Sequence, residues 1–224
     1  IDELSAIALA MQQHLAFFAL NHKAELVPVP ISNPMGVVES GIAVFSRYNP
    51  YQAARHSYPS KESWPTRVFN LKRCFLSLRI PLSSGKELIV VNTHNSAYDD
   101  GAQRQEEMSY LRSFLIAEEK KGSYIVAGGD WNQTPPGYPE SKGTKHFKPL
   151  AIDNTYMPSG WQWVYDATIP SNRFLDSKYQ KGITQTTILD FFLCSPNIRC
   201  INVKTVELGF ANSDHNPVLL TIVI

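Results

Sequence analysis

Four short polar clusters stand at the ends of apolar, β-branched runs: Asn92-Thr93-His94, Gly129-Asp130-Trp131-Asn132, Leu189-Asp190-Phe191 and Ser213-Asp214-His215-Asn216-Pro217. Strand ends gathered at one edge of a sheet can bring such groups together from distant parts of a chain, and loops on a rigid scaffold are where sites are usually built. Carboxylates with an Asn carbonyl make an oxygen-rich donor set. That set suits a hard cation such as Mg²⁺, Mn²⁺ or Ca²⁺ rather than Zn²⁺.

Each residue also has an ordinary reading. Asp130 after two glycines could be a turn residue; its pairing with Asn132 behind an apolar strand favours function. Asp190 lies inside an apolar run, where a charge is costly unless paired. His94 reads equally well as a satisfied strand-end histidine, and Asn95 as a loop asparagine or a phosphate contact. Arg67, Lys72 and Arg73 are solvated charges or a steering patch for an anionic substrate. Tyr156, Trp161, Trp163 and Tyr165 form either an aromatic wall or, more commonly, packing beneath an irregular region. His14, His22, His56 and His146 show no ligand spacing and read as surface residues. A serine hydrolase built on Ser213, Asp214 and His215 is a poor reading, because a triad needs geometry rather than adjacency and no Gly-x-Ser-x-Gly elbow occurs.

The elements that must position these clusters follow from periodicity. Leu4, Ile7, Met11, Leu15 and Phe18 have the spacing of one helix face. Gly41 to Arg47 reads as a strand after a segment bent by Pro28, Pro30 and Pro34, and residues 51–67 read as a long functional loop. Phe75–Ile80 and Leu88–Thr93 form a hairpin across Ser83-Ser84-Gly85-Lys86. Asp100 to Gln103 has the form of a capping box opening a helix through Met108, Leu111 and Leu115 that closes at Lys120-Lys121-Gly122. Tyr124–Ala127 is a short strand, residues 133–185 are irregular, and strands return at Thr187–Leu193, about Val203–Leu208 and at Pro217–Ile224. Mixed strands with two clear helices imply an α+β or α/β class.

Taken in order, His94, Asp130 with Asn132, Asp190 in Leu-Asp-Phe-Phe-Leu, and Asp214-His215 in Ser-Asp-His-x-Pro-Val resemble the motifs of the endonuclease/exonuclease/phosphatase superfamily, over roughly residues 37–224. The resemblance implies an α+β fold, a four-layered α/β/β/α sandwich of two facing mixed sheets, as one domain over 1–224. It also implies divalent-metal-dependent hydrolysis of a phosphodiester or phosphomonoester by in-line attack of an activated water. His215 resembles the histidine on the scissile phosphate, with Asp214 beside it at the metal. Asp130 and Asn132 resemble the pair that positions the attacking water and holds the transition state or a cation. Asp190 resembles the acid that orients a catalytic histidine, and His94 a second histidine acting as general acid or phosphate ligand. Asn95 and Arg73 are the expected substrate contacts. A cation and donor groups facing the phosphoryl oxygens offset the charge that accumulates there, and a carboxylate beside an imidazole raises its pKa.

The family's metal-binding Asn and Glu, on its first two strands, have no counterpart here, and the opening Ile1-Asp2-Glu3 resembles the stretch just after that Glu. The expectation is therefore a chain lacking those strands. A catalytically inactive binding or structural module is the alternative.

Composition narrows the field little. The chain has 224 residues, 43% hydrophobic, with a formal net charge of +1, so no global field draws it to nucleic acid or an anionic membrane. Nucleic acid, phospholipid and inositol phosphate are not distinguished as substrates. Three cysteines, Cys74, Cys194 and Cys200, are not a disulfide framework. No run reaches the length of about 18 apolar residues that spans a bilayer. The start without Met fits a chain whose leader or anchor has been removed, so the compartment is open.

Overall fold

The structure, a computed structural model of the chain, describes residues 2–27, 32, 34, 36–59, 72–97, 101–139, 143–144 and 147–224. The elements are α1 (Glu3–Ala10), β1 (Leu15–Val27), β2 (Gly36–Ser46), β3 (Gln52–Ser57), β4 (Cys74–Pro81), β5 (Glu87–His94), α2 (Ala102–Glu119), β6 (Tyr124–Asp130), β7 (Gln162–Val164), β8 (Asn172–Arg173), β9 (Thr186–Thr187), β10 (Asp190–Cys194), β11 (Arg199–Thr205) and β12 (Val218–Val223). The class is mixed α+β, as expected.

A six-stranded sheet in the order β3-β4-β5-β6-β10-β7 carries the molecule. Its β5-β6 pair is parallel and the others are antiparallel. A parallel pair needs a crossover, and α2 supplies it. Side chains alternate across a strand, so β4 and β5 serve two cores. Phe75, Ile89 and Val91 pack with Met108, Leu111 and Leu115 of α2. Cys74, Leu76 and Leu78 face the opposite way, against Ala19 and Ile42 of the β1-β2 ribbon. Further along that second face, Val126 and Cys194 meet Leu220 and Ile222 of the β11-β12 ribbon. The described residues thus build three layers, helix, large sheet and small ribbons; α1 buries none of its residues. No helix among the described residues is long and apolar enough to cross a membrane.

The first helix is shorter than its periodicity implies. It stops at Ala10, and Leu15 and Phe18 lie in β1, paired with Ser46 and Ala43 of β2. Leu-Ala-Phe-Phe-Ala-Leu is apolar at nearly every position and so satisfies both periods; pairing with β2 decides between them. The expected loop 51–67 begins instead as β3, an edge strand whose Arg55 and His56 hide the β pattern, since edges tolerate polar and charged residues. His56 is also no free surface residue. Its ring stacks on Phe75 at 4.3 Å and bonds Ser77 Oγ at 2.9 Å.

Asp100 lies outside the described residues, as do Trp64, Arg67 and His146; α2 begins after Gly101, which takes a left-handed φ of 99°. Tyr156, Trp161, Trp163 and Tyr165 pack against the helix-side core, the commoner of their two readings. All three cysteines are free thiols, Cys74 and Cys194 buried.

Candidate active site

Sheet register alone gathers half of the site. His94 is level with Asp130 across the parallel β5-β6 pair, and Asp130 is level with Asp190 across β6-β10. Residues in register share a face of the sheet, so three polar side chains from distant sequence form one row across the ends of three central strands. The row ends in two tight attachments, Asn95 N–H to Asp130 O at 3.0 Å and Trp131 N–H to Leu189 O at 3.0 Å. Trp131 is fully buried and donates its indole N–H to Phe191 O at 3.0 Å, so the residue between Asp130 and Asn132 anchors the turn in the core.

His215 arrives from the loop before β12. Buried Ser171 accepts from the N–H groups of Leu189 and Asp190, and its own carbonyl accepts from Asn216 N–H at 2.7 Å. One residue therefore ties the Asp190 strand to the His215 loop. The His215 ring has a partner at each nitrogen: Nδ1 is 2.6 Å from Asp190 Oδ2, and Nε2 is 3.0 Å from the side-chain amide of Asn172, which donates to a neutral ring and must turn its oxygen to accept from a protonated one. Asp130 Oδ2 stands 3.8 Å from His215 Nε2 and 3.5 Å from His94 Nε2, and Asp214 Oδ2 lies 4.0 Å from His215 Nε2.

These groups line one pocket of about 760 Å³ together with Arg73, Asn132, Phe147, Arg173 and Phe174. The pocket thus unites His94, Asp130, Asn132, Asp190, Asp214, His215 and Arg73 of the expected set. Asn95 is the exception. Its side chain is fully buried, bonded to Thr93 and Tyr58 and donating to Met108 Sδ, so the expected substrate contact is a packing residue. Asn172 was missed: it sits in the irregular proline-rich stretch, and only a long-range bridge to His215 gives it meaning.

The electrostatics separate the two histidines. Burial by itself would lower the His215 pKa; the hydrogen bond and charge of Asp190, then Asp130 and Asp214, outweigh it and raise the group to about 9. His94 is pushed below the ordinary imidazole range, by burial first and then by the charges of Arg73 and His215, so its ring is neutral at pH 7. Asp130 is raised to about 6, by burial and then by the charge of Asp190. The folded pKa lies above the unfolded value for both Asp130 and His215. Their contribution to stability is therefore full at low pH and lost as pH rises, from about 4 to 6 for Asp130 and from about 6.5 to 9 for His215. In EDTA, urea denaturation at pH 9.5 should show a stability lower by a few kcal/mol than at pH 6.5. Equal midpoints at the two values would contradict the assignment of His215 as a cation.

Comparison with known proteins fits this geometry. The description Endonuclease/Exonuclease/phosphatase family matches residues 3–215. Solved structures of similar fold include the endonuclease/exonuclease/phosphatase from Beutenbergia cavernae DSM 12333, at 15% identity and a TM-score of 0.68, covering 99% of this chain and 57% of that one. The human Nocturnin catalytic domain with bound sulfate anion is similar at 13% identity and a TM-score of 0.62, covering 99% of this chain and 77% of its own. A mannosyl-6-phosphatase from Bacteroides thetaiotaomicron VPI-5482 is similar at 14% identity and a TM-score of 0.59, covering 99% and 81%. No curated protein matches the chain by sequence. The chain thus spans little over half of the first structure's length, and identities this low speak for fold alone. The family match, which extends from the first helix to His215, is what decides membership: this chain belongs to the endonuclease/exonuclease/phosphatase family.

Proposed function

We propose that the chain is a divalent-cation-dependent hydrolase of phosphoesters. The observation that carries this reading is the His215 ring, clamped between Asp190 and Asn172 and facing Asp130 across an open pocket. Held as a cation at neutral pH, His215 can face the phosphoryl oxygens on which charge develops. Asp130, whose carboxylate faces both His215 and His94, is placed to accept a proton from the attacking water. His94, neutral at pH 7, serves as a hydrogen-bond partner for a phosphoryl or leaving oxygen rather than as a charge. Asn132, beside Asp130, orients the water, and Arg73 is an anion contact at the rim. A bound sulfate in one similar structure and the name phosphatase on another support an oxyanion in this pocket.

The donors present fit a hard cation. Asp130 and Asp190 are close enough for one charge to raise the other's pKa, an excess of negative charge that a cation relieves. Mg²⁺ commonly keeps several waters and is held by one or two carboxylates; Asp130 and Asp214, with the Asn132 amide oxygen, would hold it here. When bound, such an ion supplies charge compensation to the reacting phosphoryl group.

One observation favours the alternative of an inactive binding or structural module: among the described residues no three His, Cys, Asp or Glu side chains are grouped to hold a metal ion. Hydrolysis of bis-p-nitrophenyl phosphate and p-nitrophenyl phosphate with Mg²⁺, Mn²⁺ or EDTA separates the two. Release that requires the cation is the expected result. Equal release in EDTA would remove the metal from the reading, and no release from either ester would favour the module. The relative rates on the two esters decide between diester and monoester preference.

A further inference from the structure

Two of the loops that carry the site are tied to two charged residues buried on α2. Arg104 is only 3% exposed, and its Nη1 donates to three backbone carbonyls: Ser96 O at 3.2 Å, Ala97 O at 3.4 Å and Asn132 O at 3.2 Å. Glu107, one turn further on and 1% exposed, accepts from Ser96 N–H at 2.8 Å, Ser96 Oγ at 2.6 Å and Gln103 Nε2 at 3.2 Å. Ser96 and Ala97 belong to the loop directly after His94, and Asn132 to the turn directly after Asp130. Burying a charge is costly unless it is compensated, and here groups on the site loops supply part of the compensation.

The connection continues into the site. Asn132 has a left-handed φ of 50°, unusual outside glycine though tolerated by Asn. Its backbone N–H is bound to Asp130 Oδ1 at 2.9 Å, and its side chain donates to Asn95 O at 2.8 Å. The Arg104 guanidinium thus grips the carbonyl of the residue whose N–H fixes the Asp130 carboxylate. Arg104 does not line the 760 Å³ pocket; it lies on a neighbouring cavity of about 360 Å³ with Gln105, Met108 and Arg112.

We infer that Arg104, with Glu107 holding the same Ser96 segment, is a positioning residue that sets Asp130 relative to His94 from behind the site. The inference rests on the hydrolase reading for its effect on rate, but its geometry stands without it. All three contacts come from the one terminal nitrogen Nη1, and a lysine ammonium stands one bond nearer the helix, so Arg104→Lys keeps the charge and the donors but shortens the reach to the two loops.

The test compares Arg104→Met, Arg104→Lys and Glu107→Gln with the native chain on bis-p-nitrophenyl phosphate and Mg²⁺. In Arg104→Met, kcat should fall about a hundredfold, with KM within about twofold, because misplacing a catalytic group costs rate rather than ground-state binding. Millimolar guanidinium, entering through the neighbouring cavity, should restore part of that rate without accelerating the native chain. Arg104→Lys and Glu107→Gln should retain intermediate rates, and either serves if Arg104→Met does not fold. A folded variant with native kcat, or a loss of rate matched by loss of folded protein and untouched by guanidinium, would overturn the inference. If the native chain hydrolyses neither ester, the hydrolase reading fails and imidazole ¹⁵N spectra decide the inference alone. A His94 signal displaced in Arg104→Met and returned by guanidinium supports it; an unmoved signal refutes it.

Discussion

Replacing His215 by alanine is expected to lower cation-dependent hydrolysis of bis-p-nitrophenyl phosphate by about a thousandfold or more. General acid–base groups contribute roughly 10²–10⁴, and removal of a single preorganised donor to a developing oxyanion costs about 10²–10³. His215 combines fixed position and charge, since Asp190 and Asn172 hold both ring nitrogens and three carboxylates keep it protonated. The ring keeps 28% of its side-chain surface exposed and stands on a loop, so no core is emptied. Loss of its charge beside Asp130, Asp190 and Asp214 should cost about 1–3 kcal/mol at pH 7, within the reserve of an ordinary domain. Asp190→Asn is the informative companion. It keeps a hydrogen-bond partner for Nδ1 but removes the carboxylate charge nearest to the ring, so its defect should grow as pH rises from 6 to 8 while His215→Ala stays flat. Circular dichroism establishes folding in both. A folded His215→Ala chain that turns over like the native one would remove His215 from the site.

Gly129→Ala should be the most damaging small substitution in the chain. A Cβ at position 129 would lie 1.9 Å from Thr93 O, a backbone atom of the parallel neighbour β5, and the residue has a φ of +144° that an L side chain rarely adopts. Neither the clash nor the conformation can relax without opening the β5-β6 pair that sets His94 beside Asp130. The cost should be on the order of 4 kcal/mol, from strained backbone plus overpacking. Gly137→Ala is the control: its φ is +74°, yet nothing lies within 4 Å of the added carbon, so about 1 kcal/mol is expected. Urea unfolding followed by circular dichroism reads both, and a Gly129→Ala midpoint no lower than that of Gly137→Ala would show that the close approach to Thr93 is not maintained in solution.

Why the two glycines before Asp130 are needed is one of the things the sequence left open. It did expose the parts of the site that depend on local chemistry. His94, Asp130, Asn132, Asp190, Asp214 and His215 are legible because each cluster borders an apolar run, and a polar group at a strand end has few bland reasons to recur four times in one order. The β4-β5 hairpin and α2 are legible for the same reason, since turn chemistry and helical period are local properties.

The tertiary structure decided what depends on partners far away in the chain. Leu15 to Leu20 is uniformly apolar and takes its strand form from pairing with β2; β3 is polar because it lies at an edge. Asn95, expected at the substrate, is turned inward by Thr93, Tyr58 and Met108. Asn172, Arg104 and Glu107 carry no local signature, yet they hold His215 and the two site loops. The sequence by itself thus determined which residue types could do the chemistry, through composition at strand ends. Their orientation, protonation and spacing were decided by sheet register and by burial, which are properties of contacts between segments that no local pattern records.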